Sequence, residues 1–339
     1  MQKTHASGLN PMSEKPSAKH WTQRKEIKNK TGINVLLGVM RVFGPRVVKI
    51  VVIPVALYYF LVSKETRQVS RGYSRRIETR TAGAQSASAF QVYRHILSFS
   101  QSMVDRMYAW RCGLQESSFL SHDFELLNHA LSAQSGGAII LVSHLGNFDL
   151  AISRSHMTPD KTFNVVMNTK HSQTYNQFRE KIFKDEQIRF IDPDDITPLA
   201  MVDLSDRIGR GEILVIAADR ASSVNNKSTV AVDFLGEDAH FPIGPYVLAH
   251  LLDVPVYTLY AIVTRGKVLI DFKLFAQSIK LSRVDRGKAL SFYAQNYANN
   301  LQQHCLKYPL QWYNFFDFWA KYEDLSKAEQ TMNCDQEET

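Results

Sequence analysis

The sequence predicts an α/β fold: a mixed, largely parallel sheet flanked by helices, with membrane-associating helices added at the N-terminus. Three observations carry this reading. Short runs of β-branched and other apolar residues recur after residue 137, each long enough for one buried strand. Helical patterns separate those runs, and parallel strands need such crossovers. A long apolar tract with basic flanks precedes them, from Ile33 to Val62.

The elements follow in chain order. Residues 1–20 are polar and rich in Ser, Lys and Pro, the composition of a disordered basic tail. Residues 21–80 read as a membrane-associating helical segment. Arg24, Lys25, Lys28 and Lys30 lead into the apolar tract, which lies too far from residue 1 for a secretory signal. Arg41, Arg46 and Lys49 interrupt it, and Pro45 and Pro54 would break or kink a helix. Its cleanest part, Ile50–Val62, has 13 residues, short of the ~20 that span a bilayer. Lys64, Arg67, Arg71, Arg75 and Arg76 follow at once, and Tyr58 and Tyr59 suit an interfacial aromatic band. A re-entrant or interfacial helical hairpin on an anionic leaflet fits these residues. A pair of core helices capping the domain is the other reading.

Residues 81–322 form the α/β domain, and residues 323–339 a polar tail. Residues 87–131 show helical spacing of apolar residues. Strands are expected at 138–142, Thr162–Met167, Ile188–Ile191 and Glu212–Ala217, with helices at 148–157, 172–185 and 197–208 between them. Thr197-Pro198 supplies a cap and first-turn pair for the last of these. Pro255–Val263 and Val268–Phe275, split by Arg265-Gly266-Lys267, read as an added hairpin. A long helix from about 285 to 305 follows, and then an aromatic cluster from Pro309 to Trp319.

Composition narrows the function. The 339 residues carry a net charge of +7, which favours an acidic partner or an anionic surface. The basic residues cluster about the apolar tract, with no aromatic-studded groove or recognition helix, so nucleic acid is not expected. Cys112, Cys305 and Cys334 are far apart, so no disulfide framework or zinc site is readable. No metal or other cofactor is expected.

The chemistry concentrates where strands end. Residues 138–142 run into Ser143-His144-Leu145-Gly146-Asn147-Phe148-Asp149. Ligands bind at that edge of open α/β sheets. A carboxylate in the same turn, Asp149, can hold one imidazole nitrogen of His144 as a donor and leave the other to accept a proton. Asn147 can cap the following helix. Asp219-Arg220 ends the fourth expected strand in the same way, so it points to the same edge. Arg220 suits phosphate or carboxylate contact, and Lys170, just past the second strand, can reach the same side. Gly244-Pro245 opens a helix whose backbone donors suit an oxyanion or phosphate. There is no G-x-S-x-G, P-loop, dinucleotide fingerprint or HExxH. A general base without a protein nucleophile suggests that a substrate hydroxyl supplies the attacking group; a thioester hydrolase with water as acceptor and a non-catalytic anionic-lipid-binding protein are the other readings.

In this order, His144-x4-Asp149, Asp219-Arg220, Phe234-Leu235-Gly236, Phe241-Pro242-Ile243-Gly244-Pro245 and Gln311-Trp312-Tyr313 resemble the lysophospholipid acyltransferase superfamily, in its lipid A biosynthesis (late) acyltransferase-like branch. The resemblance covers roughly residues 21–320. It implies a glycerol-3-phosphate acyltransferase-like core at the cytoplasmic face of a bacterial inner membrane. It also implies His144 as base, oriented by Asp149, for a lipid or glycolipid hydroxyl. Lys170, Asp219, Arg220 and Gly244 become substrate-binding candidates. The acyl thioester donor would be acyl carrier protein or acyl-CoA, and the acidic carrier protein agrees with the basic balance. Two departures bear on the acceptor. Asp149 stands where lipid A enzymes commonly carry Glu, and the Glu-Gly-Thr-Arg pattern of glycerolipid branches is missing.

Overall fold

The computed structural model describes residues 30–112, 114–120, 136–152, 161–167, 187–220 and 228–319. Its centre is a six-stranded sheet in the order β3-β2-β4-β1-β7-β8. The strands are β1 (Ala138–Val142), β2 (Phe163–Val166), β3 (Ile188–Ile191), β4 (Ile213–Ala217), β7 (Val256–Thr264) and β8 (Lys267–Ala276). All neighbours pair in parallel except β7 and β8, the expected hairpin. β1 lies centrally, and all five of its residues are buried, which explains its continuous apolar run. Successive residues serve opposite faces. Ile139 and Leu141 join a core with Tyr73, Ile77, Tyr297 and Trp312, while Ile140 and Val142 join one with Ala109, Phe119, Leu150 and Ile270.

The described helices are α1 (Lys30–Val62), α2 (Lys64–Arg80), α3 (Ala89–Cys112), α4 (Phe148–Ile152), α5 (Pro198–Gly209), α6 (Gly244–Leu252) and α7 (Arg286–Lys307). Thr197 caps α5 by accepting from Ala200 N, with Pro198 in the first turn. The expected helix at 172–185 and the far end of that at 148–157 lie outside the described residues. A second sheet was not expected. β5 (Thr229–Phe234) and β6 (Glu237–Pro242) form a separate antiparallel hairpin. Its two-residue turn, Leu235-Gly236, has both φ angles positive (57° and 89°), the geometry that matches strand twist in tight hairpins.

The N-terminal tract is one kinked helix followed by another. Gly44 takes φ 76° and ψ 175° just before Pro45 and bends α1 there, whereas Pro54 is accommodated within the helix. Ser63 caps α2 by accepting from Thr66 N at 3.3 Å. The Arg67 guanidinium donates to the carbonyls of Phe60 and Leu61, which have no partner in the last turn of α1. One side of α1 packs on α3 through Met40, Val48 and Val52 against Val104, and Ala56 against Val92 and Ile96. Lys49 pairs with Asp105 of α3 at 2.6 Å. The other side leaves Val47, Ile50, Ile53, Leu57, Tyr58 and Leu61 exposed. The stretch Val42–Val62, 21 residues, is long and apolar enough to cross a membrane. It exceeds the 13 residues expected because α1 runs through Lys49 unbroken, with that charge matched on its inner side.

Candidate active site

Sheet register assembles the site. β1 and β4 are parallel neighbours with Val142 opposite Ala217. The residues two steps beyond each strand, His144 and Asp219, therefore leave the same edge side by side. His144 Nδ1 lies 2.8 Å from Asp219 Oδ1, and the His144 backbone N–H donates to Oδ2 at 2.9 Å. Trp312 Nε1 donates to the same Oδ2 at 3.2 Å. A carboxylate only accepts, so Nδ1 carries the ring proton and Nε2 keeps its lone pair. Nε2 has no hydrogen-bond partner among the described residues. The His144 side chain is 37% accessible while that of Asp219 is fully buried. A substrate can reach the imidazole, and water cannot compete for its anchor.

The electrostatics favour a neutral base held by an ionised acid. Burial lowers the His144 pKa below its ordinary 6.5, and the positive charges of Arg220 and Arg106 lower it further. Asp219 opposes them by attraction and hydrogen bonding without reversing the direction. Burial alone would raise the Asp219 pKa. The His144 charge, its two hydrogen bonds and Arg220 outweigh that and hold it at about 2.

A two-stranded clamp fixes the loop. Leu145 bridges Trp312, and Gly146 bridges Ala261 of β7. Gly146 N donates to Gln311 O at 2.8 Å, and Tyr313 N to His144 O at 2.9 Å. Gly146 has φ 74°, and a Cβ there would stand 2.1 Å from the Ala261 carbonyl oxygen. Only glycine fits. Gly146→Ala is expected to cost about 2–4 kcal/mol of stability and to pull the loop off Asp219. Melting temperature and turnover should fall together; an unchanged melting temperature would show that the loop has another way past Ala261.

The remaining expected residues fall in different places. Asp149 is not the acid at His144 Nδ1, where the expected pair would place it. The chain leaves His144 through the Gly146 turn, and the short α4 carries Asp149 against α3, where its Oδ2 lies 2.7 Å from Arg106 Nε. Asp219 occupies the position at Nδ1 instead. Asn147 does not cap through its side chain either. Its Nδ2 donates to Ser102 O at 2.9 Å, and its backbone carbonyl accepts from Leu150 N. Arg220 stays close enough to act on both His144 and Asp219, but its Nη2 donates to Tyr313 O at 2.5 Å and its guanidinium lies over Phe316. Gly244 begins α6 as an exposed residue, and no side chain caps that end. Lys170 lies outside the described residues.

Sequence reasoning missed Arg106 and the donor role of Trp312. Arg106 sits mid-helix in α3, 38 positions before His144, and only tertiary packing makes it a neighbour of the base. Trp312 carried a signal as part of the aromatic cluster, though nothing in its spacing assigned its N–H to Asp219. No cluster of three or more His, Cys, Asp or Glu residues fit for a metal occurs among the described residues.

This geometry belongs with a family match. Residues 94–320 match the model of bacterial lipid A biosynthesis acyltransferases. The chain belongs to that family. It is a membrane-associated O-acyltransferase with an acyl donor and a lipid acceptor. A search of curated proteins finds no match. The matched segment begins within α3 and takes in both strand ends of the candidate site, the α6 start and the closing Trp312 segment.

Proposed function

We propose that this acyltransferase moves a fatty acyl group from an acyl thioester, carried by acyl carrier protein, to a hydroxyl of a lipid or glycolipid at the cytoplasmic face of the inner membrane. His144 is the general base in this reading, with Asp219 orienting it. The observation that carries it is the His144 Nδ1–Asp219 Oδ1 contact of 2.8 Å with Nε2 left open.

The chemistry follows from that tautomer. Nε2 removes the acceptor hydroxyl proton as the oxygen attacks the thioester carbonyl. The new C–O bond gives a tetrahedral oxyanion, and Asp219 stabilises the imidazolium formed beside it. When the C–S bond breaks, the imidazolium returns its proton to the leaving thiolate, and the products are an ester and a free thiol. Arg106 and Arg220 keep the imidazole neutral before attack and lend positive charge to the oxyanion or to donor phosphate. The exposed face of α1 and the basic residues of α2 suit an anionic membrane surface that presents the acceptor. The net charge of +7 suits an anionic donor, and an acidic carrier protein is one.

The test supplies the purified full chain with acyl carrier protein or CoA carrying one labelled acyl group, together with inner-membrane lipid extract. Mass spectrometry should find a lipid heavier by one acyl group, formed faster from the carrier protein and increasingly slowed by salt. Equal rates from both donors would remove the carrier-protein assignment. Free fatty acid without an acylated lipid would remove the acceptor.

A further inference from the structure

We infer that Trp312 and His95 are positioning residues for the His144–Asp219 pair, joined in a hydrogen-bonded chain that runs from α2 through α3 to the carboxylate. The inference rests on the reading of His144 as base.

The chain can be followed atom by atom. Trp312 Nε1–H donates to Asp219 Oδ2 at 3.2 Å. The backbone carbonyl of Trp312 lies 2.9 Å from His95 Nε2. A carbonyl only accepts, so Nε2 of His95 carries the proton and Nδ1 accepts. Ser70 Oγ, 2.9 Å from Nδ1, supplies the donor. All four side chains are buried, with Asp219, Trp312 and Ser70 fully enclosed and His95 at 1% exposure. Burial lowers the His95 pKa to about 4, so the ring is neutral and keeps this donor–acceptor order at working pH.

Packing alone does not account for these residue types. The Trp312 ring meets Tyr73, Phe234 and Phe318 with centroids 4.9–5.2 Å apart, and phenylalanine could fill much of that space. The indole N–H adds a third donor to a carboxylate that already accepts two from His144. It acts on Oδ2, so it fixes the rotation of the carboxylate that turns Oδ1 towards the ring. It also draws negative charge away from Oδ1. His95 fixes the backbone from which that indole extends, on the same strap whose Tyr313 N–H holds His144 O.

The test compares Trp312→Phe, His95→Ala and His95→Gln in the full chain, reading kcat, KM, melting temperature and the pH profile of kcat/KM, with His144→Ala alongside. Trp312→Phe should lower kcat roughly tenfold with KM nearly unchanged. Its acid limb should move up by about half a pH unit, because a carboxylate with one donor fewer stabilises the imidazolium better. His95→Ala should lower kcat comparably, and His95→Gln should recover most of it, since a glutamine amide can still donate to the Trp312 carbonyl. A wild-type pH profile in Trp312→Phe, with His144→Ala inactive, would overturn the role of the indole. Equal impairment of both His95 variants would overturn that of His95, and that pair decides alone if Trp312→Phe fails to fold. Wild-type turnover in His144→Ala would remove the base, and the outer chain would fall with it.

Discussion

His144→Ala is expected to lower acyl transfer by roughly 10³–10⁴-fold while leaving membrane attachment intact. Among the described residues, the imidazole is the only group at this strand end with an accessible lone pair held ready by a buried acid, so its removal leaves the acceptor hydroxyl protonated at the moment of attack. The fold should survive. Asp219 Oδ2 keeps its donors from His144 N and Trp312 Nε1, and the orphaned Oδ1 should cost about 1–3 kcal/mol. Labelled-acyl transfer measures the first effect, and thermal melting with vesicle sedimentation the second. The wild-type pH profile carries a matching sign. Burial, Arg220 and Arg106 lower the His144 pKa below 6.5, and a base works only when unprotonated. Turnover should therefore hold as the pH falls to 6.5 and drop only below it. Retained transfer by His144→Ala, or an acid limb above 6.5, would count against the base.

Much of this architecture was legible in the sequence, and the failures have two physical origins, one non-local and one local. Strands β1 to β4, α5 and the β7–β8 hairpin follow from local signals: apolar runs, caps and turn residues. The edge that carries chemistry was legible too, because His144 and Asp219-Arg220 each end an apolar run. What the sequence did not contain is strand order. Nothing local says that β4 lies beside β1 in register, yet that adjacency alone brings residue 219 to residue 144. Proximity along the chain favoured Asp149 instead, and a five-residue spacing is a weak guide once a left-handed glycine turns the chain. The β5–β6 hairpin was hidden for a local reason. Its turn places Leu235 at positive φ, a position where turn chemistry leads one to expect Asn, Asp or Gly.

The two aspartates should separate sharply when each is replaced by asparagine. Asp219→Asn removes the charge that stabilises the imidazolium and lets an amide N–H face Nδ1, which favours the wrong tautomer. A loss of about 10³–10⁴ in kcat is expected, by the same logic as in serine-protease triads. The acid limb should also move to lower pH, because Asp219 is the group that raises the His144 pKa against burial and the two arginines. That direction is opposite to the one expected for Trp312→Phe. In the wild type the His144 contacts and Arg220 hold the Asp219 carboxyl below the ordinary carboxylate range, so the displaced limb reports protonation of His144. Asp149→Asn acts elsewhere. It breaks a mostly buried ion pair with Arg106, an event that typically costs about 3–5 kcal/mol. Its main signature should be a lowered melting temperature with a smaller fall in kcat, passed on through Arg106. Measuring kcat, the pH profile and melting temperature on both variants reads the difference directly. Should Asp149→Asn lose turnover a thousandfold while Asp219→Asn keeps it, the orienting acid would be Asp149, and the 2.8 Å contact at Nδ1 would be a structural anchor with no part in proton transfer.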